Sequence, residues 1–149
     1  MQAAELCNRQ VVTASRDMSI PDAARLMRDQ HVGSLVVTDT SDGKPMPVGI
    51  LTDRDIVIEV ISRDISLDQV TVGDIMTYAL LKVTEDENIF EVAQRMRARG
   101  VRRVPVISRL GELIGIIAAD DILELLSEEL SLLSKITMRE AEQEKAKRS

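Results

Sequence analysis

The chain has 149 residues, of which 44% are hydrophobic and 30% charged, with a formal charge of −6; this suits one ordinary soluble domain, or two half-size units sharing a core. Acidity and an aromatic content of 1%, with only Tyr78 and Phe90, argue against nucleic acid as a partner, because neither a basic footprint nor stacking platforms can be built. One His and one Cys leave no zinc site of the usual spacing and no internal disulfide, no apolar run reaches bilayer length, and Met1 to Glu5 form no leader, so the expected compartment is the cytoplasm and no membrane partner is expected.

Taken from the N-terminus, residues 11–14 predict a short apolar strand. Ser19 then caps a helix, with Pro21 in its first turn and Asp22 at the capping-box position. Ile20, Ala23, Ala24 and Met27 fall on one face of that helix. Residues 34–38 and 48–51 are β-rich and are joined by a polar turn with Gly and Pro, residues 39–45. A second helix is expected from Arg54 to about Ser62. Residues 63–70 read as a short linker.

The same unit then repeats. Asp17, Ile20, Ala24, Met27 and Arg28 recur as Asp86, Ile89, Ala93, Met96 and Arg97, 69 positions later. Asn88 and Glu91 repeat the capping device, and residues 108–112 form the shorter loop. Each copy therefore reads strand, helix, strand, strand, helix, and two copies predict a pseudo-twofold α/β pair. The expected units are residues 3–62 and 71–134. Leu123, Leu126, Leu130 and Leu133 predict an apolar seam on the last helix, followed by a charged helical tail over residues 135–149.

Three segments carry a family resemblance. Val-Gly-Ile-Leu-Thr-Asp-Arg-Asp at 48–55 resembles the third-strand signature of a CBS motif. Gly-Val-Arg-Arg-Val-Pro-Val at 100–106 resembles the second-strand signature, and Gly-Asp-Ile-Met-Thr at 73–77 the opening segment. In order and duplication the chain resembles a Bateman module, two tandem CBS motifs. The resemblance implies three-stranded sheets with helices on one face, packed to leave two clefts that take adenine nucleotides, NAD or S-adenosyl compounds. It also implies a homodimer and a regulated partner protein.

The expected ligand is AMP or ATP, with no cofactor required. Asp55 and Asp121 are the expected ribose contacts, since a carboxylate accepts from two neighbouring hydroxyls at once. The competing role is local: Thr52-x-x-Asp55 is also a capping box that needs no ligand. Copy two has Ala118 in place of Thr52 yet keeps Asp121. Thr52, at a helix start, and Arg54 beside it are candidate phosphate contacts; the alternative for Arg54 is a solvated surface position. Arg102 and Arg103 alternate in direction along a strand and form a candidate phosphate clamp, or else pair with the chain's own carboxylates. Copy one has Gly33 and Ser34 there, so the clefts are unequal. Aliphatic side chains such as Val12, Leu35, Ile50, Leu81, Val104 and Ile116 are expected around the base, or else are simply core, which the sequence does not separate; Pro105 is a further candidate nucleotide contact. Thr13 and Lys82, at equivalent strand ends, are further candidate cleft contacts. His31 reads as a residue at a helix end and Cys7 as a small hydrophobe.

The expected function is a regulatory nucleotide sensor and not an enzyme, because no base, nucleophile and metal set can be assembled. The rival is a ligand-free dimerisation scaffold that works through the leucine seam.

Overall fold

The computed structural model describes residues 1–78 and 81–148. The first unit contains β1 (Thr13–Ala14), α2 (Ile20–Gln30), β2 (Ser34–Ser41), β3 (Lys44–Thr52) and α3 (Asp53–Ile56), which continues as a π-helical turn (Val57–Ile61). The second contains β4 (Val83–Thr84), α5 (Ile89–Arg99), β5 (Arg103–Ile107), β6 (Leu113–Ala118) and α6 (Ala119–Arg148). Short helices α1 (Ala3–Leu6) and α4 (Val72–Ile75) open the two halves. Each sheet has three strands, in the orders β1-β2-β3 and β4-β5-β6, the first pair parallel and the second antiparallel.

The helix starts follow their caps. Ser19 accepts the Asp22 N–H at 3.2 Å and Asn88 accepts the Phe90 N–H at 2.8 Å. The reciprocal half expected of Asp22 is not made, because its carboxylate takes the Arg25 guanidinium at 2.8 Å. The turn expected over residues 39–45 is mostly strand. Asp42 and Gly43, at φ 51° and 75°, form the left-handed pair that a two-residue hairpin turn requires. The β3 prolines sit on an edge strand, where a missing N–H costs little.

Each unit has its own core. In the first, Ile20, Ala23 and Met27 of α2 meet Leu35, Val37 and Leu51 of the sheet. In the second, Ile89, Val92 and Met96 of α5 meet Val104, Val106 and Ile117. The opening segments are exchanged between units. Ala3 belongs to the second core and Val72 and Met76 to the first. Backbone bonds fasten them: Ala3 N–H to the Glu87 carbonyl at 2.8 Å, Val72 N–H to Met18 at 2.9 Å, and reciprocal pairs between Asn8 and Ile116 and between Thr77 and Ile50. The strands β3 and β6 lie against each other across the seam.

The last helix runs unbroken to Arg148 through the stretch expected as a helical tail, whose last residue, Ser149, lies outside the described residues. At 1.5 Å per residue its 30 residues span roughly 45 Å. Ile122 is buried, Leu125 and Leu126 pack on the second core, and every described residue from Ser127 onward is exposed. Among the described residues no helix is long and apolar enough to cross a membrane.

Candidate functional site

Two grooves lie along the seam between the sheets. The larger, 460 Å³, is lined by Gly33, by Ile50, Thr52, Asp53, Arg54 and Asp55 at the β3–α3 junction, by Thr77 and Leu81, and by residues 100–103. The smaller, 290 Å³, is lined by Asn8, Val12, Val32, Ser34, Val36, Arg103, Ile116, Ala118 and Asp121, among others. The linings are repeat counterparts: Ile50 matches Ile116, Asp55 matches Asp121, Thr77 matches Asn8 and Leu81 matches Val12.

Both aspartates sit at a strand-to-helix junction and each divides its carboxylate. Oδ2 of Asp55 accepts the Thr52 N–H at 2.9 Å, and the Thr52 hydroxyl accepts the Asp55 N–H at 3.1 Å. Oδ2 of Asp121 accepts the Ala118 N–H at 3.0 Å. Among the described residues neither Oδ1 has a partner. The capping role is therefore real in both copies, and half of it survives without the threonine. It occupies one oxygen of a residue in the groove lining and leaves the other without a protein partner, able to accept from a diol.

The start of α3 differs from the expected phosphate cradle. The Asp53 N–H donates to the Gly33 carbonyl at 3.0 Å, the Arg54 N–H to Asp53 Oδ1 at 2.8 Å, and the Asp55 N–H to Thr52. These amides are already satisfied, so positive charge in the larger groove comes from Arg54, Arg102 and Arg103. Arg102 makes a 3.4 Å pair with Asp120, but both side chains are about three-quarters exposed (77% and 74%). Such a pair contributes about 0–1 kcal/mol and yields readily to a phosphate.

Other expected contacts lie elsewhere. Leu35 and Val104 are fully buried in the two cores, because strand alternation turns them toward the helices. Val36, one position on, faces the smaller groove. Pro105 is buried opposite Ile116 but lines neither groove. Thr13 and Lys82 are exposed and also stand outside both linings. His31 ends α2 in the left-handed conformation, φ 56°, where copy two uses Gly100, and it borders the smaller groove. Asn8 and Thr77 were not singled out from the sequence; their equivalence in the repeat was the available signal.

Among the described residues no group of three or more His, Cys, Asp or Glu side chains is placed to hold a metal.

Comparison with known proteins agrees with this architecture. The CBS domain model matches residues 3–62 and 72–128. An uncharacterized protein of Methanopyrus kandleri is 36% identical over 121 residues, 81% of this chain and 60% of that protein, so the chain spans less than two thirds of that relative. The crystal structure of Hypoxic Response Protein I with two coordinated zinc ions has a TM-score of 0.70 at 31% identity, covering 83% of this chain and 98% of that one; Hypoxic response protein 1 of Mycobacterium tuberculosis is 32% identical over 85% of both chains. The CBS domain pair of protein MJ0100, solved with 5′-methylthioadenosine and S-adenosyl-L-methionine, has a TM-score of 0.74 at 25% identity over 87% of this chain and 98% of that one. The chain belongs to the CBS-domain family, as a protein with a pair of CBS domains, a Bateman module.

Proposed function

We propose that the chain is a regulatory module that binds an adenine nucleotide in the seam and controls a partner protein through the packing of its two halves. One observation carries the reading. In each half an aspartate commits one oxygen to its own helix start and has its other oxygen without a protein partner, beside a groove of ligand size. In the larger groove Asp55 takes the ribose diol, Ile50, Leu81 and Val101 flank the base, and Arg54, Arg102 and Arg103 take the phosphates. The adenosyl ligands of the MJ0100 pair support this chemistry.

The ligand touches both units: Asp55 and Arg54 come from the first, Arg102 and Arg103 from the second. Binding therefore favours arrangements of the two halves that bring these groups together. It shifts a partner's response only through its different affinities for those arrangements. No bond is made or broken by the chain, and the ligand pool is the cytoplasmic one.

A thermal-shift screen with AMP, ADP, ATP, NAD, S-adenosylmethionine and 5′-methylthioadenosine tests it. A ligand at about 100 times its Kd adds about 2.7 kcal/mol of stability, a rise of several degrees. No rise with any of the six overturns the reading.

The scaffold reading has its own support in α6. Leu123, Leu130, Leu132, Leu133 and Ile136 are each more than 60% exposed. Residues 120–129 of this helix carry five acidic side chains and no basic ones; residues 135–148 carry five basic against three acidic. That gradient fits a second copy of the chain lying antiparallel, with each acidic half facing a basic half. Concentration-independent monomer mass in sedimentation equilibrium overturns it.

A further inference from the structure

Arg103 lines both grooves. It opens β5, and its repeat counterpart Ser34 opens β2 and lines only the smaller groove. Gly33, the counterpart of Arg102, also borders both grooves and has no side chain to set between them. A Cβ there would meet Asp53 Oδ2 at 3.2 Å, a tight approach that keeps the position small. Among the described residues the guanidinium of Arg103 makes no ion pair, unlike that of Arg102. It is exposed, permanently charged and offers five donors.

The charges of the two linings are unequal. The larger groove has Arg54, Arg102 and Arg103 against Asp53 and Asp55. Among the lining residues of the smaller groove, Arg103 is the one arginine or lysine, and Asp121 is the one carboxylate. One guanidinium drawn onto a phosphate in the larger groove leaves the smaller groove with a carboxylate and no arginine or lysine. A second phosphate is then repelled, whereas an uncharged or cationic nucleoside is not.

We propose that Arg103 is a shared phosphate contact that couples the two grooves: a nucleotide in the larger groove lowers the affinity of the smaller for a second phosphate and leaves it to a nucleoside without one. The proposal rests on the nucleotide-binding reading above and adds the ligand class of the second groove and the coupling between sites.

Titration calorimetry of the full chain with ATP, and with 5′-methylthioadenosine on the ATP-saturated chain, tests it. The second ATP binds at least tenfold more weakly than the first, and 5′-methylthioadenosine binds the ATP-loaded chain. Arg103→Gln weakens the first ATP about tenfold, where the charge-assisted bond is lost, and leaves the second, which already binds without that guanidinium, and 5′-methylthioadenosine each within about twofold. Disabling the larger groove with Arg54→Gln/Asp55→Asn, at an exposed position and a cap-competent one, frees Arg103. ATP affinity in the smaller groove then rises at least fivefold over the wild-type second site, and adding Arg103→Gln removes that gain. Two equal, independent ATP sites, or a smaller groove whose ATP affinity in the Arg54→Gln/Asp55→Asn chain does not change when Arg103→Gln is added, overturn the sharing while leaving nucleotide binding intact. No heat with either ligand removes both.

Discussion

Gly115 lies directly against Cys7: a Cβ on Gly115 would stand 2.6 Å from the Cys7 sulfur and 3.0 Å from the Asn8 carbonyl oxygen. The other half repeats the relationship, with Gly49 placing a Cβ 2.7 Å from Met76 Sδ and 2.8 Å from the Thr77 carbonyl oxygen. Where each exchanged opening segment crosses the opposite sheet, the closest approach is at a sheet residue with no side chain. Gly115→Ala and Gly49→Ala are each expected to cost about 1–3 kcal/mol through forced displacement. Thermal unfolding checks this, and an unchanged Tm in both variants contradicts the packing described.

Asp55 can be divided into its two roles by substitution. Asp55→Asn keeps an oxygen for the Thr52 N–H, so stability changes by less than about 0.5 kcal/mol, while loss of the carboxylate charge weakens nucleotide binding about tenfold. Asp55→Ala loses the cap as well and costs about 1 kcal/mol of stability. Paired thermal melts and titrations separate these outcomes. Equal nucleotide affinity in wild type and Asp55→Asn makes the aspartate a cap alone.

Burial pushes the Cys7 thiol above its ordinary range, opposed by the nearby Arg9 charge and by a backbone hydrogen bond. The folded-state value is raised, so the unfolded chain loses its thiol proton first. Stability is therefore expected to fall as pH rises through the ordinary thiol range, and Cys7→Ser should flatten that slope. Alkylation by iodoacetamide at pH 8 should be several-fold slower in the folded chain than in urea. Equal rates in the two states contradict the protected placement.

Leu130 and Leu133 are 67% and 61% exposed, so the monomer gains little from them. Leu130→Glu/Leu133→Glu is expected to leave the Tm within about 2 °C, since surface changes away from packed features lie within about 0.5 kcal/mol. The same variant should lower the association constant for a second copy at least tenfold by sedimentation. A large fall in Tm without loss of association reverses both expectations.

The repeat, the caps at Ser19 and Asn88 and the two groove aspartates were legible because each is a local pattern or an internal match. A turn around Asp42–Gly43 was legible, but the length of the two strands that meet there was hidden. The strands there leave the core, so Thr40, Ser41 and Lys44 are exposed and show no apolar alternation. The segment exchange was hidden more deeply. The bridges Gln2–Asn88, Ser19–Thr71, Asn8–Ile116 and Ile50–Thr77 join residues far apart in the chain. They leave only the small residues Gly49 and Gly115 as a trace. Lining and core stayed unseparated for Leu35 and Val104 because composition marks a residue as apolar but not which face of the sheet it occupies; a one-residue step decides between core and groove.

Amide chemical shifts of the ¹⁵N-labelled full chain during titration with AMP decide whether a nucleotide occupies the seam. Saturable shifts concentrated at residues 52–55 and 101–103, the two walls that would meet across a bound nucleotide, are expected. Shifts that never saturate, or that fall only on the exposed length of α6, contradict that occupancy.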